Sequence, residues 1–326
     1  MIKYLIFRTD RIGDFIFSRV LINAIKNKNP DARIDLVCSL YNSQYVKNFT
    51  DIENIYVLDK YNFKLMIKNL FKINSINYDY LIILDSKRRS FFFSIPIRAK
   101  HKIAVLKDWR PFFLLKLFFH DYLINSEVKS QYDNFITLSN LINLDIKKKI
   151  NYYENYIGHS KLLIRDNNYL LLHLDEKWFD GYYFSDYERI NLNHNNFELF
   201  IKTLFKKFKK KIIITSGRFS TSYLDQIIKK NFEKVNSYQY RSIKYKNNLL
   251  FFNDLKFEDL ELLVKKSCIV FCCEGAISHV SHALNKKTYA LIQSDIIGNF
   301  WTAHMSKIKL IKRNHINLIC KNIMKL

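Results

Sequence analysis

Residues 4–14 read Tyr-Leu-Ile-Phe-Arg-Thr-Asp-Arg-Ile-Gly-Asp, an apolar run that breaks into a polar stretch rich in charge. Apolar residues then return at helical spacing, at Phe15, Val20, Leu21 and Ala24. This pattern predicts a strand, a turn and a helix. Turns of this kind lie at the carboxyl edge of a parallel sheet, where open α/β folds bind their ligands. The two arginines and two aspartates of the turn are therefore candidate binding or catalytic residues.

Two interpretations of this turn are open on the residues alone. Because the chain has only six glycines, Gly13 is expected to allow a tight turn or the close approach of a ligand. Alternatively, the turn is a solvated connection in which Asp14 places a negative charge at the N-terminus of the helix.

An alternation of strands and helices follows the first turn. It predicts βαβ units with parallel sheets covered on both faces, and hence an α/β fold of two domains with a cleft between them. We expect the first domain at residues 1–160 and the second at 161–326, with the final helical segment, 316–326, packing back on the first domain. The candidate strands are 4–7, 34–38, 55–58, 80–84 and 101–105 in the first domain, and 169–173, 211–215, 249–252, 268–272 and 288–292 in the second.

The formal net charge of +23 is the most unusual feature of the composition. It favours anionic partners such as lipid phosphates, acidic saccharides or nucleic acid. A compositional explanation is also open, because the chain is rich in Lys, Asn, Ile, Phe and Tyr, and many lysines stand in runs such as 147–149 and 209–211. With 48% hydrophobic residues the chain is globular rather than disordered.

Cysteine usage and the N-terminus predict a cytoplasmic protein. The five cysteines show no paired framework, and with the histidines they form no pattern of metal ligands. The chain enters a strand directly, without a secretory signal pattern. No apolar run reaches the ~18 to 20 residues that cross a bilayer. The segment 112–119, Phe-Phe-Leu-Leu-Lys-Leu-Phe-Phe, is either an interfacial membrane helix or a core helix with one lysine.

A second strand-turn-helix pattern occupies residues 269–284. An apolar strand ends at Glu274, a turn through Gly275 and Ala276 follows, and a helix begins soon afterwards. The free N–H groups and the positive dipole end of such a helix favour phosphate oxygens. Glu274 can accept a hydrogen bond from a sugar hydroxyl, and His279 can donate one to phosphate. The residues alone therefore make this turn a candidate phosphate-binding site.

Together, the two turns resemble glycosyltransferase family 9, the bacterial lipopolysaccharide heptosyltransferases. The motifs that carry the resemblance occur in the family's order and cover roughly residues 1–300. They are the turn 8–14, the strand-end aspartate and basic helix start at 84–90, the two donor-domain loops at 173–178 and 215–217, and the turn 274–276 with His279.

The resemblance implies a GT-B architecture of two Rossmann-like domains, with the acceptor in the first and a nucleotide sugar in the second. It implies an inverting, metal-independent transfer that uses no cofactor besides the nucleotide-sugar substrate. In such a displacement a carboxylate takes the proton of the acceptor hydroxyl as its oxygen attacks the anomeric carbon, and Asp14 stands at the family's position for this base. Lys177 matches the family's lysine near the departing diphosphate, whose charge cations stabilise.

The same resemblance assigns the remaining candidates. An anionic acceptor, such as a phosphorylated or Kdo-bearing inner core, would be held by cations, although solvated basic surface is the alternative for each of them. The donor residues are Lys177, Ser216, Gly217, Arg218, Glu274, Gly275, Ala276 and His279, and the acceptor residues are Arg8, Arg11, Gly13, Lys87, Arg88 and Arg89.

Two departures from the family pattern leave the donor sugar open. The chain has Glu274-Gly275-Ala276 where the family has Asp-Ser-Gly, and no clear acidic residue follows Gly217. ADP-heptose is therefore one candidate donor among nucleotide sugars. The expected partners are the nucleotide sugar, a lipid-linked saccharide acceptor and the inner-membrane surface, with the chain acting as a monomer.

The sequence gives less support to three other classes of function than to a transferase. A nucleic-acid-binding protein would use the basic surface, but no recognisable module is present. A Rossmann oxidoreductase would carry a Gly-x-Gly-x-x-Gly turn after its first strand, which residues 11–16 lack. A noncatalytic saccharide-binding member of the family is disfavoured because Asp14 and Lys177 are both present.

Overall fold

The computed structural model of the chain describes residues 1–106, 117–124, 130–146, 151–164, 166–179, 190–217 and 221–326. These residues form two compact units, Met1–Gly158 and His159–Leu326. The candidate interfacial segment 112–119 lies mostly outside the described residues. Among the helices that are described, none combines the length and the apolar character that a membrane span requires.

The first unit is built on a six-stranded sheet. Its strands are β1 Lys3–Arg8, β2 Arg33–Cys38, β3 Asn54–Val57, β4 Tyr78–Ile83, β5 Ala99–Leu106 and β6 Asp121–Ile124. They pair in parallel in the order β3-β2-β1-β4-β5-β6. The order changes direction between β1 and β4, which is the position where open α/β sheets bind ligands. The parallel sheet predicted from the sequence is confirmed, and β6 is the strand that the prediction missed.

Five helices of the first unit are described. They are α1 Ile12–Lys28, α2 Leu40–Val46, α3 Phe63–Asn74, α4 Arg88–Ser94 and α5 Gln131–Leu141. In α1 every residue from Phe15 to Ile25 is buried, which is typical of a helix that is covered on all sides. Ser130 is the N-cap of α5, and its Oγ accepts a hydrogen bond from the backbone N–H of Asp133 at 3.1 Å.

The second unit contains an eight-stranded sheet. Its strands are β7 Tyr169–Leu174, β8 Lys211–Ser216, β9 Phe232–Lys234, β10 Gln239–Ser242, β11 Lys246–Phe252, β12 Ile269–Cys273, β13 Lys287–Ile292 and β14 Ile308–Lys312. The order is β14-β13-β12-β7-β8-β11-β10-β9, and only the pairs β9–β10 and β10–β11 are antiparallel. The five predicted strands are present. The three that were missed, β9, β10 and β14, are short and rich in polar residues.

Six helices of the second unit are described, and the last of them is the C-terminal helix of the chain. They are α6 His194–Phe208, α7 Ser222–Asn231, α8 Phe257–Lys266, α9 Ala276–Ala283, α10 Asp295–Thr302 and α11 Ile316–Lys325. The apolar face of α11, which includes Ile316, Ile319 and Ile323, lies in the core of the second unit together with Phe200 of α6. The expectation that this face packs on the first domain is therefore corrected, because its apolar side chains are buried within the unit to which the helix belongs.

Candidate functional site

The first candidate site lies at the carboxyl ends of β1 and β4, which are neighbours in the sheet. Arg8 ends β1 and is only 2% exposed. Its guanidinium donates to the carbonyl of Leu84 at 2.7 Å through Nη1, and to the carbonyl of Asp14 at 3.1 Å through Nε. Arg8 therefore joins the end of β4 to the first turn of α1. A buried arginine is rare unless it is paired, and here the pairing holds the turn in place.

Asp85, the first residue after Leu84, is the hydrogen-bonding centre of this turn. Its Oδ2 accepts from the Thr9 N–H at 3.0 Å, from the Thr9 hydroxyl at 2.5 Å and from the Ser90 hydroxyl at 2.6 Å, while Oδ1 accepts from the Lys87 N–H at 3.1 Å. Burial raises the pKa of Asp85, the charge of Asp10 adds to the rise, and these hydrogen bonds oppose it. Asp85 thus ties the two strand ends together.

Four charged side chains meet above this scaffold. Arg8 Nη1 lies 3.3 Å from Asp10 Oδ2 and Arg8 Nη2 lies 3.7 Å from Asp14 Oδ1, while Lys87 Nζ lies 2.6 Å from Asp10 Oδ1. Burial raises the pKa of Asp10, and the negative charge of Asp14 raises it further against the attraction of Arg8 and Lys87. The cluster holds two cations and two carboxylates at the edge of the sheet.

Asp14 is the more accessible of the two carboxylates, with its side chain 25% exposed. Its Oδ2 accepts a hydrogen bond from the Arg11 N–H at 3.2 Å, so the carboxylate caps the N-terminus of α1. The capping interpretation of Asp14 is therefore correct in geometry. Capping leaves Asp14 available for a chemical role. Only Oδ2 takes part in the cap, Oδ1 faces Arg8, and the side chain still reaches solvent.

The remaining first-domain candidates occupy different environments. Arg11 and Arg88 are exposed, and Arg89 is partly buried in the first turn of α4. Gly13 lies in the first turn of α1, and among the described glycines only Gly275 has a positive φ. The explanation of Gly13 as a residue required by a tight turn is therefore wrong, since a helical conformation is open to any residue.

The second candidate site joins the loop after β7 to the loop after β12, two strands that pair in parallel. Lys177 lies in a short 3₁₀ turn, Glu176–Trp178, and its Nζ donates to the carbonyl of Glu274. The same Nζ lies 3.9 Å from Glu274 Oε2, and the two side chains are 15% and 16% exposed. The structure thus brings together two residues that are nearly one hundred positions apart in the sequence and that the sequence assigned to one ligand.

The turn at Gly275 has a backbone suited to glycine. Gly275 has a φ of +158° and a ψ of −155°, and a Cβ on this residue would lie 3.0 Å from Lys177 Nζ. The Ser278 hydroxyl accepts from the Gly275 N–H at 3.1 Å and donates to its carbonyl at 2.8 Å, which closes the start of α9. The first N–H groups of α9, beginning at Ala276, therefore lie beside the Lys177 ammonium.

His279 is one turn further into α9. It is 6% exposed, and its ring lies edge-on to Trp301 with the ring centroids 6.3 Å apart. The packing fixes the orientation of the imidazole.

Arg313 was missed by the sequence analysis. It follows β14 and is 2% exposed, and its guanidinium donates to the carbonyl of Lys177 and, at 3.3 Å, to the Sγ of Cys273. Arg313 and Lys177 line, with Glu274 and Gln293, a small pocket that is open to solvent. The pocket thus carries two cations and one carboxylate.

Arg313 could have been predicted as a site residue only if the preceding strand, β14, had been recognised in the sequence. Its N–H donates to the carbonyl of Ile292 at 2.7 Å, which continues the pairing of β14 with β13 beyond the last strand residue. The charged residues of β14 hide the alternation that marks a strand, so the residue at its carboxyl end was not considered.

Two other donor candidates, Ser216 and Gly217, lie at the carboxyl end of β8 and do not line this pocket. The backbone N–H of Gly217 donates to the carbonyl of Leu174 at 3.1 Å, and the Ser216 hydroxyl donates to Asn253 Oδ1 at 2.6 Å. Arg218 lies outside the described residues. A Cβ on Gly217 would lie 3.0 Å from the Cα of Asp175, so this glycine allows the two loops to approach closely.

His173 at the end of β7 is a structural rather than a chemical group. It is buried, and its Nδ1 lies 2.9 Å from the Thr215 hydroxyl. Burial lowers the pKa of His173 to about 4, and the neighbouring Lys177 lowers it further while Glu176 opposes the shift. The carbonyl of His173 accepts from the indole of Trp178 at 2.9 Å. The neutral imidazole and the indole therefore fix the loop that presents Lys177. Within the described part of the chain, no three His, Cys, Asp or Glu side chains are grouped to hold a metal ion.

Comparison with known proteins gives likenesses of structure only. No protein-family model matches the chain, and neither does any curated protein. Among solved structures, the E. coli heptosyltransferase WaaC with ADP matches at a TM-score of 0.73 and 12% identity, over 99% of this chain and 99% of that one. The glycosyl transferase family 9 protein from Veillonella parvula matches at 0.67 and 13% identity, over 95% of this chain and 86% of that one.

A third solved structure extends this pattern. E. coli ADP-heptose lps heptosyltransferase II matches at a TM-score of 0.61 and 12% identity, over 100% of this chain and 97% of that one. The chain therefore has the GT-B fold, with two Rossmann-like units, each of which has a mainly parallel sheet and covering helices. Within this fold class, its architecture is similar to that of the lipopolysaccharide heptosyltransferases.

Proposed function

We propose that the chain is a nucleotide-sugar glycosyltransferase that acts in the synthesis of a lipopolysaccharide or lipooligosaccharide core. The observation that carries the proposal is the pocket in which Lys177, Arg313 and Glu274 meet at the N-terminus of α9. This arrangement suits a nucleoside diphosphate, because the pocket offers two cations and helix N–H groups to the phosphates and one carboxylate to a sugar hydroxyl. The fold likeness to a heptosyltransferase with ADP supports the same ligand class.

The donor is a nucleotide sugar held by the second unit, with ADP-heptose as the first candidate. Lys177 and Arg313 face the diphosphate, whose negative charge grows as the bond to the anomeric carbon breaks. Glu274 orients a hydroxyl of the ribose or of the sugar. The Glu274 carboxylate already forms an ion pair with the Lys177 ammonium. An incoming diphosphate therefore competes with this carboxylate for the ammonium. The motif residues Ser216, Gly217, Arg218, Ala276 and His279 complete the proposed donor set.

The acceptor is a lipid-linked, anionic saccharide held by the first unit. Asp14 takes the proton of the acceptor hydroxyl while the oxygen attacks the anomeric carbon from the face opposite the diphosphate, which inverts the configuration there. Arg8 holds the Asp14 carboxylate in place, since its guanidinium Nη2 lies 3.7 Å from Asp14 Oδ1. Gly13 and the cations Arg11, Lys87, Arg88 and Arg89 are the proposed contacts to the acceptor.

The proposal includes three further properties. The reaction needs no metal ion, since the two cations of the pocket and the start of α9 neutralise the leaving diphosphate. The protein acts as a cytoplasmic monomer, bound peripherally to the inner face of the cytoplasmic membrane. The +23 charge serves both the anionic acceptor and the anionic leaflet. The alternative is a noncatalytic protein that binds saccharide or nucleic acid through the same basic surface.

A transfer assay tests the proposal. The purified protein is incubated with ADP-heptose and with UDP-, GDP- and CMP-sugars, with a deacylated inner-core saccharide as acceptor and with EDTA present. Extension of the saccharide by one sugar, with inversion at the anomeric carbon seen by NMR, is the expected result. Binding of the saccharide without extension by any donor would support the noncatalytic alternative and overturn the transferase.

A further inference from the structure

The helix α3 presents an apolar stripe to solvent. Phe63, Ile67 and Phe71 follow one another at intervals of four residues and therefore lie along one side of the helix. Their exposed fractions are 72%, 39% and 75%. Three large apolar side chains left in water on adjacent turns form a continuous patch, and such patches mark interaction surfaces.

The stripe is not a misplaced core face, because α3 has a separate one. Met66, Leu70 and Ile73 pack into the core of the first unit, and Ile73 is fully buried. The side chain of Asn69 donates to the carbonyl of Val57 at 2.9 Å, which fixes the helix to the end of β3. The helix is thus held firmly against the sheet, and the exposed stripe runs beside its buried face.

Lysines accompany the stripe along its whole length. Lys64, Lys68 and Lys72 each follow one residue after a member of the stripe, and all three are exposed. The helix contains no aspartate or glutamate. Immediately before it, Tyr61 is 83% exposed and has the ammonium of Lys60 above its ring, 4.5 Å from the centroid. The surface therefore combines an apolar ridge with a row of positive charge.

We propose that this face of α3 is the docking surface for an anionic lipid bilayer. A basic amphipathic helix lies in the plane of a membrane with its apolar side chains below the headgroups and its cations at the phosphates. The ridge, about 12 Å long from Phe63 to Phe71 at 1.5 Å per residue, lies parallel to the lysine row and suits that depth profile. Nucleic acid would complement the lysines but would leave the exposed phenylalanines in water. The inference deepens the proposed membrane location and does not depend on the transferase chemistry.

Vesicle sedimentation tests the surface with the full-length protein. Vesicles of phosphatidylcholine alone are compared with vesicles that also contain phosphatidylglycerol. One variant replaces Phe63, Ile67 and Phe71 by alanine, and a second replaces Lys64, Lys68 and Lys72 by glutamine. A matched control replaces Lys229, Lys230 and Lys234 of the second unit, which are also exposed, by glutamine.

The expected result is that wild type binds the anionic vesicles and that the control binds nearly as well. The α3 lysine variant should lose affinity on the order of a hundredfold, since each lysine near an anionic surface contributes about a factor of five. The α3 alanine variant should lose on the order of a hundredfold or more, since burial of each of its three large apolar side chains contributes about a factor of five or more, and it should no longer bind in high salt, where charge is screened.

Three results would overturn the inference. The first is failure of wild-type protein to bind anionic vesicles, and the second is an equal loss of binding in the control and in the α3 lysine variant. The third is normal vesicle binding by the α3 alanine variant together with a change in its molar mass by light scattering, which would assign the stripe to a protein contact. Sugar transfer to a soluble acceptor should be the same in wild type and in all three variants, so failure of this inference can be told apart from failure of the transferase proposal.

Discussion

Replacing Gly275 by alanine tests whether the donor turn depends on a conformation that glycine alone adopts easily. The backbone of Gly275, with φ of +158° and ψ of −155°, lies in a region that side chains disfavour. An alanine Cβ would also lie 3.0 Å from Nζ of Lys177. The substitution therefore strains the turn and, separately, displaces the ammonium that lines the pocket.

The size of the effect follows from these two contributions. Backbone strain of this kind costs about 1–3 kcal/mol. The contact with Lys177 adds little, because a long side chain can bend away, but the movement breaks its bond to the Glu274 carbonyl. For a unit of this size each kcal/mol lowers the melting temperature by about 2–4 °C, so Gly275→Ala should melt about 2–12 °C lower than wild type. Affinity for ADP should fall on the order of tenfold, as for the loss of one charged hydrogen bond.

Thermal unfolding followed by circular dichroism, with calorimetric titration of ADP, measures both effects. Gly13→Ala is the matched control, because Gly13 lies in a helix, where alanine is favoured over glycine by about 0.5–1 kcal/mol. The control should melt at the wild-type temperature or above it. Melting of Gly275→Ala at the wild-type temperature, or an equal loss of stability in the control, would refute the reasoning.

Three other perturbations have defined outcomes. Asp14→Asn should keep the fold and the affinity for donor but lose on the order of 10²- to 10⁴-fold in turnover, as measured with saturating substrates; unchanged turnover would remove Asp14 as the base. His279→Ala should weaken binding of ADP in calorimetry, whereas selective loss of acceptor affinity would reverse the roles of the two units. Because burial lowers the pKa of His173 to about 4, from 6.5 in the unfolded chain, the unfolded state takes up the proton first as the pH falls. Stability is therefore complete above a pH of about 6.5 and drops toward 4, by about 2 kcal/mol at pH 5. Urea unfolding near pH 7 and pH 5 should show a smaller drop in His173→Gln, and an equal drop would assign the acid sensitivity to other groups.

The fold was predictable because its central strands are continuous apolar runs. Strands such as β1 and β7 are buried on both faces, so nearly every residue in them is apolar and the runs stand out. The antiparallel strand β9 is the edge of the second sheet and β10 is the strand next to it, and few of their side chains are buried. Strands of this kind carry polar residues and leave no such signal.

The C-terminal helix shows a different limit of sequence reasoning. The spacing of Ile316, Ile319 and Ile323 identifies an apolar face but not the surface that it covers. The chain reaches this helix after β14, on the edge of the second sheet, and the helix packs against α6 of the same unit. The choice of partner depends on a strand that the pattern did not reveal.

The candidate sites were predictable to the extent that they are local. The turns around Asp14 and Gly275 each lie within a few residues of a strand end, so their composition alone marks them. Arg313 reaches the Lys177 loop only through the folding of β14 beside β13, a contact across 136 residues. The contrast between Gly13 and Gly275 also needed the backbone angles, since both glycines have the same position relative to a predicted turn.

The most direct test of the account is calorimetric titration of ADP-, UDP-, GDP- and CMP-sugars into the purified protein without divalent metal, alongside Lys177→Gln. The account predicts that an ADP-sugar binds selectively, and that the variant loses this affinity although its fold is intact. Selective binding of another nucleotide would keep the pocket and reassign the donor. Absence of binding by every nucleotide sugar would contradict the claim that the pocket of Lys177, Glu274 and Arg313 holds one.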